Sequence, residues 1–280
     1  MKTTLRSGWN ARASTTCATI SALPSCRSRP PLPVMQKAQP TAQPTWEETQ
    51  TPSRGRTTVS TARVPSLEFT RPAQKLIEAA VLESANMGAD GIVGADVLRS
   101  QRVQFDFEKK TMTIVPAATP DFQEEPGTIV VEARRKNGRL ILTDAVANDQ
   151  NVTVVLDTGS EICMGNEALR RRLLGRNLVD AREKVELQSV TGDMISGDYM
   201  FVRKLRIGGI TLQNLAVVFV DAHTFKQLKL DKTPALLLGM NAFRAFKKVS
   251  IDFANRQFRV VVPEHSELET RLAMSGRGQP

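Results

Sequence analysis

One phrase of this sequence occurs twice, and it constrains the fold more than any other feature. Ile92-Val93-Gly94 opens a stretch that runs through Val97 and Leu98 to Arg99. Leu237-Leu238-Gly239 opens a second that runs through Ala242 and Phe243 to Arg244. Each is followed by two short alternating runs. Gln104 to Phe107 and Met112 to Val115 follow the first, and Val249 to Phe253 and Phe258 to Val262 follow the second. The step from Gly94 to Gly239 nearly equals the step from Asp106-Phe107 to Asp252-Phe253. A period this long predicts two related lobes, not a solenoid. Glu108-Lys109-Lys110 reads as the turn between the first pair of strands. The run from Leu76 to Leu82 fits either a short helix or a strand.

The second copy carries more in front of it. Gly127 to Ala147 predicts two strands joined at Asn137-Gly138, a strong hairpin signal. Val152 to Leu156 is an apolar strand ending in Asp157-Thr158-Gly159-Ser160. Glu167 to Leu174 has helical character. Val185 to Val190 turns at Thr191-Gly192-Asp193 and returns from Met194. A further hairpin turns at Gly208-Gly209. Many short strands between glycine and asparagine turns predict a mainly β lobe.

Charge is unevenly placed. The whole chain carries 38 Lys and Arg against 29 Asp and Glu, for +9. Residues 1–66 hold nine basic and two acidic side chains with eight of the 15 prolines, leaving the remainder nearly neutral. Residues 1–66 therefore read as a disordered, basic, Pro-rich tail. A basic nucleic-acid-binding body is not indicated, and no apolar run reaches membrane-spanning length. Cys17, Cys26 and Cys163, with two His in the chain, build neither a disulfide framework nor a metal site. Cys163 reads as a small core residue. No cofactor is expected. The stretch from Met1 to Ile20 lacks a real apolar core for a secretory signal, so the compartment is left open between periplasm and cytoplasm.

The sharpest local signal is Val154-Val155-Leu156-Asp157-Thr158-Gly159-Ser160: a carboxylate at the end of an apolar strand, on a turn that glycine lets bend tightly. Such a string on its own also serves as a helix cap. Here Leu237-Leu238-Gly239 follows downstream, with a glycine-tipped hairpin between. In order and spacing, Val152 to Ser160, Ser189 to Met194 and Leu236 to Asn241 resemble the retropepsin-like aspartic peptidases. The resemblance covers about 128–263, and its closing segment recurs in 76–116. It is nearest in kind to bacterial aspartyl proteases with two such lobes in one chain, here with the first lobe incomplete.

The resemblance implies a retropepsin-like, acid-protease β-barrel lobe that acts as an aspartic-type endopeptidase. Two carboxylates, one from each lobe, would share a proton and activate water to hydrolyse a peptide bond. Asp157 would be the acid–base, Thr158 a brace between the two loops, Gly159 the turn residue, and Ser160 a hydroxyl donor to the carboxylate. Val190, Thr191, Gly192 and Asp193 would form a substrate-binding flap. Peptides or proteins are the implied partners. No metal and no covalent intermediate are implied.

The mechanism needs a second Asp, and no second Asp-Thr-Gly or Asp-Ser-Gly exists in the chain. Stepping back from Gly94 by the distance that separates Gly239 from Asp157 reaches Arg12, in a stretch without a carboxylate. Three explanations remain open at this level. A homodimer through the 128–263 lobe brings two copies of Asp157 together. The first lobe is degenerate, leaving an inactive peptide-binding or scaffold module. Or residues 1–66 are not natural coding sequence, an idea motivated by the abrupt change in composition near Leu67. An active Asp157 should also face a cleft. The expected layout is tail 1–66, partial lobe 67–118, linker 119–127, peptidase lobe 128–263 and C-terminal tail 264–280. His223 is expected at a helix start, Asp106 and Asp252 on turn amides, and Arg170-Arg171-Arg172 on a solvated helix face.

Overall fold

The computed structural model describes residues 3–6, 17–20, 59–67, 74–87, 89, 91–95, 97–122, 125–175 and 183–263. The expected tail 264–280 lies outside them, as does most of 1–58. Within the stretch read as an N-terminal tail, the described residues form β1 (Thr3–Arg6), β2 (Cys17–Ile20) and β3 (Thr61–Leu67). β3 pairs with β4 (Gln74–Ala80), so the run beginning at Leu76 is strand, not helix. α1 (Ser84–Met87), β5 (Gly91–Gly94), β6 (Gln101–Asp106) and β7 (Thr111–Pro116) follow. The β6–β7 turn is the expected one. Lys110 takes a positive φ of 52°, and Asp106 Oδ1 accepts the Lys109 amide at 2.8 Å.

The second copy begins with β8 (Thr128–Glu132), β9 (Arg134–Lys136) and β10 (Arg139–Leu142). Asn137 and Gly138 both have positive φ, 49° and 79°, as a tight hairpin turn of this type requires. Then come β11 (Ala145–Ala147), β12 (Gln150–Asn151), β13 (Thr153–Leu156), β14 (Cys163–Gly165) and α2 (Glu167–Leu174). Asn166 starts α2 because its Oδ1 accepts the Leu169 amide, while its Nδ2 donates to the carbonyls of Leu230 and Thr233. β15 (Glu183–Gln188), β16 (Met194–Ile207), β17 (Ile210–Phe219), α3 (His223–Gln227), β18 (Ala235–Leu238), α4 (Met240–Phe243), β19 (Lys248–Asp252) and β20 (Gln257–Val261) complete the lobe. His223 is exposed at the start of α3, as expected.

The molecule is mainly β. Its larger sheet runs β12-β11-β16-β17-β14-β18-β13-β10-β9, with β15 added on β16. Among the described residues this sheet does not close into a barrel. β13 and β18 pair in parallel at its centre, Leu156 opposite Leu238. Such a pair is covered on both faces, which is why both strands read as unbroken apolar runs. Leu236, Leu237 and Leu238 have no exposed surface, and each such side chain is worth about 1.5–3 kcal/mol relative to exposure.

The second sheet joins the two copies. Its order is β1-β7-β6-β19-β20-β8, so the closing hairpins meet along β6 and β19. The register is antiparallel and reciprocal: Arg102 lies opposite Asp252, and Lys248 opposite Asp106. One continuous core crosses this seam, with Val103, Phe105 and Ile114 from the first copy and Val249, Ile251 and Phe258 from the second. The correspondence extends further. β2 lies antiparallel to β5 as β14 does to β18, and β3–β4 is a hairpin as β16–β17 is. Among the described residues the first copy has no strand in the place of β13.

Candidate active site

The site is built from the end of β13. Val154 and Val155 are fully buried, and the Asp157 amide donates to the Leu238 carbonyl at 3.0 Å, extending the parallel ladder into the turn. The turn then closes on itself, because Gly159 N donates to Asp157 Oδ1 at 3.2 Å. The following loop is held from the other side. Met240 N donates to the Ser160 carbonyl at 2.8 Å and Asn241 N to the Glu161 carbonyl at 2.9 Å. The first amides of α4, which a helix start leaves unpaired, thereby satisfy the carbonyls of the loop after the acid. Arg244 pairs with Glu161 across the same junction.

Gly239 explains why the apolar-apolar-Gly string recurs at this distance from an Asp-Thr-Gly. A Cβ there would stand 2.7 Å from the Ile162 carbonyl group and 2.9 Å from the Ser160 oxygen. The missing side chain is the space through which the acid loop passes.

Asn241 and Cys163 complete the support. Asn241 Oδ1 accepts from Cys163 N at 2.9 Å and Sγ at 3.0 Å, and its Nδ2 donates to the Ala216 carbonyl at 2.9 Å. One amide thus ties α4, β14 and β17 together. Burial foremost, and the nearby Asp157 charge, push the Cys163 thiol up to about 12 against the lowering effect of the Gly239 and Ala242 amides. Cys163 stays a protonated thiol, which makes it the core residue the sequence predicts and also a donor. Its part in the Asn241 network carries no signal in the sequence.

Ser160 requires a correction. Its Oγ donates to the Ile162 carbonyl at 2.6 Å, so its proton does not go to the Asp157 carboxylate. The serine staples the loop. Ser160→Ala is therefore expected to leave the pH dependence of any turnover where it is. It should lower stability by about 1 kcal/mol, since a buried carbonyl loses its donor. A pH–rate profile and a urea melt check both. Thr158 is half-buried in the turn, and the segment that would supply its partner loop lies outside the described residues. Asp157 itself is 1% exposed, so the expected opening onto a cleft is not met by this arrangement of the chain.

The hairpin of β15 and β16 carries the other predicted residues. At its tip Ser189 Oγ lies 2.7 Å from Thr191 Oγ1, which donates to Asp193 Oδ2 at 2.6 Å. Ser189 Oγ also accepts the amides of Thr191 and Asp193. Gly192 takes φ +87°, the left-handed turn position. Val190 and Thr191 are half-buried and Met194 is 57% exposed. Val185, Leu187, Ile195 and Tyr199 pack toward a cluster that includes Val155 and Leu237, so the hairpin lies against the strands that carry the acid.

Arg170 is a second correction. It is not simply solvated. Its Nη2 lies 2.6 Å from Asp198 Oδ2 on β16, and Lys184 Nζ lies 2.6 Å from Oδ1. This node anchors the base of the hairpin to α2. The Lys184 hydrogen bond foremost, helped by Arg170 and against burial, holds the Asp198 carboxyl below its ordinary range. A depressed value stabilises the fold above the unfolded pKa of about 3.9, and that contribution is lost as pH falls through the folded value. Asp198→Asn is expected to cost about 1 kcal/mol at neutral pH, a figure discounted because solvent screens the exposed Lys184 end of the node. Urea melts should show the difference closing as pH falls below the unfolded value of about 3.9.

Among the described residues no group of three or more His, Cys, Asp or Glu is placed to hold a metal ion. No helix among them is long and apolar enough to cross a membrane. Residues 143–242 match the sequence model of the aspartyl protease family. That span holds the Asp157 loop, the hairpin and the β18–α4 junction. Among solved structures, the chain is similar to the crystal structure of a retropepsin-like aspartic protease from Rickettsia conorii. The identity is 18%, over 48% of this chain and 89% of that one, with a TM-score of 0.32. No curated protein matches. Every residue of the predicted site, 157–160 and 190–193, falls within the matched span.

Proposed function

We propose that the chain is an aspartic-type endopeptidase in which Asp157 is one of two carboxylates that activate a water molecule. The reading rests on the way the Asp157 turn is held, by Leu238 in the ladder, by the α4 amides on its carbonyls, and by the space at Gly239. A rigid mount of this kind is what a carboxylate needs to hold a water and a carbonyl in reacting geometry. One carboxylate takes a proton from water while the other donates to the carbonyl oxygen, and the pair titrates as a unit. Residues 190–193 bind the peptide as a flap. The second acid comes from a partner chain, or from a first half-lobe missing from this sequence. β19 already carries β20 and β6 on its two edges, so a second copy that used this seam would displace β6. Turnover also requires an opening around Asp157, which is 1% exposed.

That burial favours a second reading, a catalytically inactive peptide-binding module of the same fold. The sequence between β1 and β2, residues 7–16, holds no Asp or Glu, so the first copy as written brings no acid there. Solution mass and cleavage of a peptide library by the full chain between about pH 3 and 7 separate the two, since that range brackets carboxylate titration. Pepstatin-sensitive cleavage supports the endopeptidase. A chain that stays monomeric and cuts nothing leaves the binding module.

A further inference from the structure

We infer that Asn86, in α1 of the first copy, is a positioning residue that clasps the tip of the β15–β16 hairpin. Three observations carry this. Gln188, the last residue of β15, donates from Nε2 to Asn86 Oδ1 at 3.2 Å, a contact between the two copies. Asn86 Nδ2 lies so near Gly192 that a Cβ on that glycine would stand 2.9 Å from it. Gly192 has φ +87° and is the tip residue of the turn. The Asn86 side chain therefore spans the mouth of the hairpin, from the end of the strand to the tip.

The rest of the tip is bonded to itself. Ser189, Thr191 and Asp193 are linked by hydroxyl, carboxylate and amide contacts. Such a tip moves as a unit, and its position is then set by what touches it from outside. At its base that is the Asp198 node on α2. At its tip it is Asn86. Asn86 is itself fixed, because its amide donates to the Glu83 carbonyl at 3.0 Å and its neighbour Met87 is buried. The incomplete first copy thus holds the hairpin that the complete copy presents to its ligand. The effect on turnover rests on the endopeptidase reading; the clasp does not.

The test is hydrogen exchange on the full chain. Asn86→Ala is expected to speed exchange of the amides of 188–193 by about three- to tenfold, the range for losing one hydrogen bond. Exchange in β13 and β18 should stay at the wild-type rate. Gln188→Ala should do the same, and the double variant should be no faster than the faster single. Unchanged tip exchange in Asn86→Ala, or fully additive effects, would overturn the clasp. In a chain that cleaves peptides, Asn86→Ala should raise KM severalfold with Tm unchanged. A chain that cuts nothing removes the endopeptidase reading, and the exchange measurement still decides the clasp.

Discussion

Asp157→Asn is expected to lower peptide cleavage by about 10³-fold or more, within or beyond the range for losing a positioned acid–base group. The substitution is close to isosteric. Its side-chain oxygen still accepts the Gly159 amide, and the backbone bond to Leu238 is untouched. What is lost is the ability to carry the proton between water and product. Folding should survive, because an amide is cheaper to bury than a carboxylate at a site that is 1% exposed. The diagnostic result is therefore a pair: kcat collapses while the urea midpoint stays level or rises. A variant that unfolds would mean that Asp157 serves the fold. Residual cleavage at the wild-type rate would place the chemistry elsewhere.

The closing hairpins, the Asn137-Gly138 turn, α2 and the Asp157 strand were legible in the sequence because each rests on a local pattern. Alternation, turn residues and a cap signal are each written within a short window. The apolar-apolar-Gly string was also legible, yet its reason was not. That Gly239 must yield to Ile162 and Ser160 depends on two segments crossing, and no window of sequence contains both. The Ser160 hydroxyl shows the same limit. A hydroxyl so close in sequence to a carboxylate can reach either the acid or a loop carbonyl, and the bend at Ile162 decides between them. Arg170 looked solvated beside Arg171 and Arg172 because its partner Asp198 lies beyond β15, on another element. Two of the strands that were missed, β1 and β2, lie in a segment whose proline and arginine content reads as tail. Their pairing depends on β7 and β5, not on their own composition.

Arg102→Met carries the largest stability effect expected in this chain, about 3–5 kcal/mol at neutral pH, the cost of stripping one partner from a buried ion pair. Arg102 sits on β6 at the seam between the copies, 6% exposed. Its Nε and Nη2 donate to Asp252 Oδ2 at 3.1 and 2.8 Å, and Nε lies 3.3 Å from Asp121. Nη1 and Nη2 also donate to the carbonyls of Thr119 and Ala117. Methionine keeps the stem and removes every one of these bonds, leaving two buried carboxylates and two carbonyls behind. Asp121 retains Gln104, Ser250 and Arg259. Among the described residues Asp252 retains only Asn255, which donates from its backbone and side-chain nitrogens, so the deficit falls mainly on Asp252. Burial is the largest single influence on Asp252 and pushes its carboxyl up. The Asn255 bonds and Arg102 together outweigh it and hold the group below its ordinary range. In the native chain this contribution is present above the unfolded value of about 3.9 and is lost as pH falls through the lower folded value. Without Arg102 the balance tips toward burial, and Asp252 takes up a proton at higher pH. The gap between variant and native chain should therefore be widest near pH 7 and narrower toward pH 3, because the variant's Asp252 takes up its proton before the native chain's does. Adding Asp252→Asn to Arg102→Met should recover part of the loss, because the orphaned charge goes with it. Urea midpoints of the three chains at the two pH values decide the matter. A gap below about 1 kcal/mol at pH 7, the level of an ordinary surface pair, would show that the apolar residues along β6 and β19 hold the seam alone.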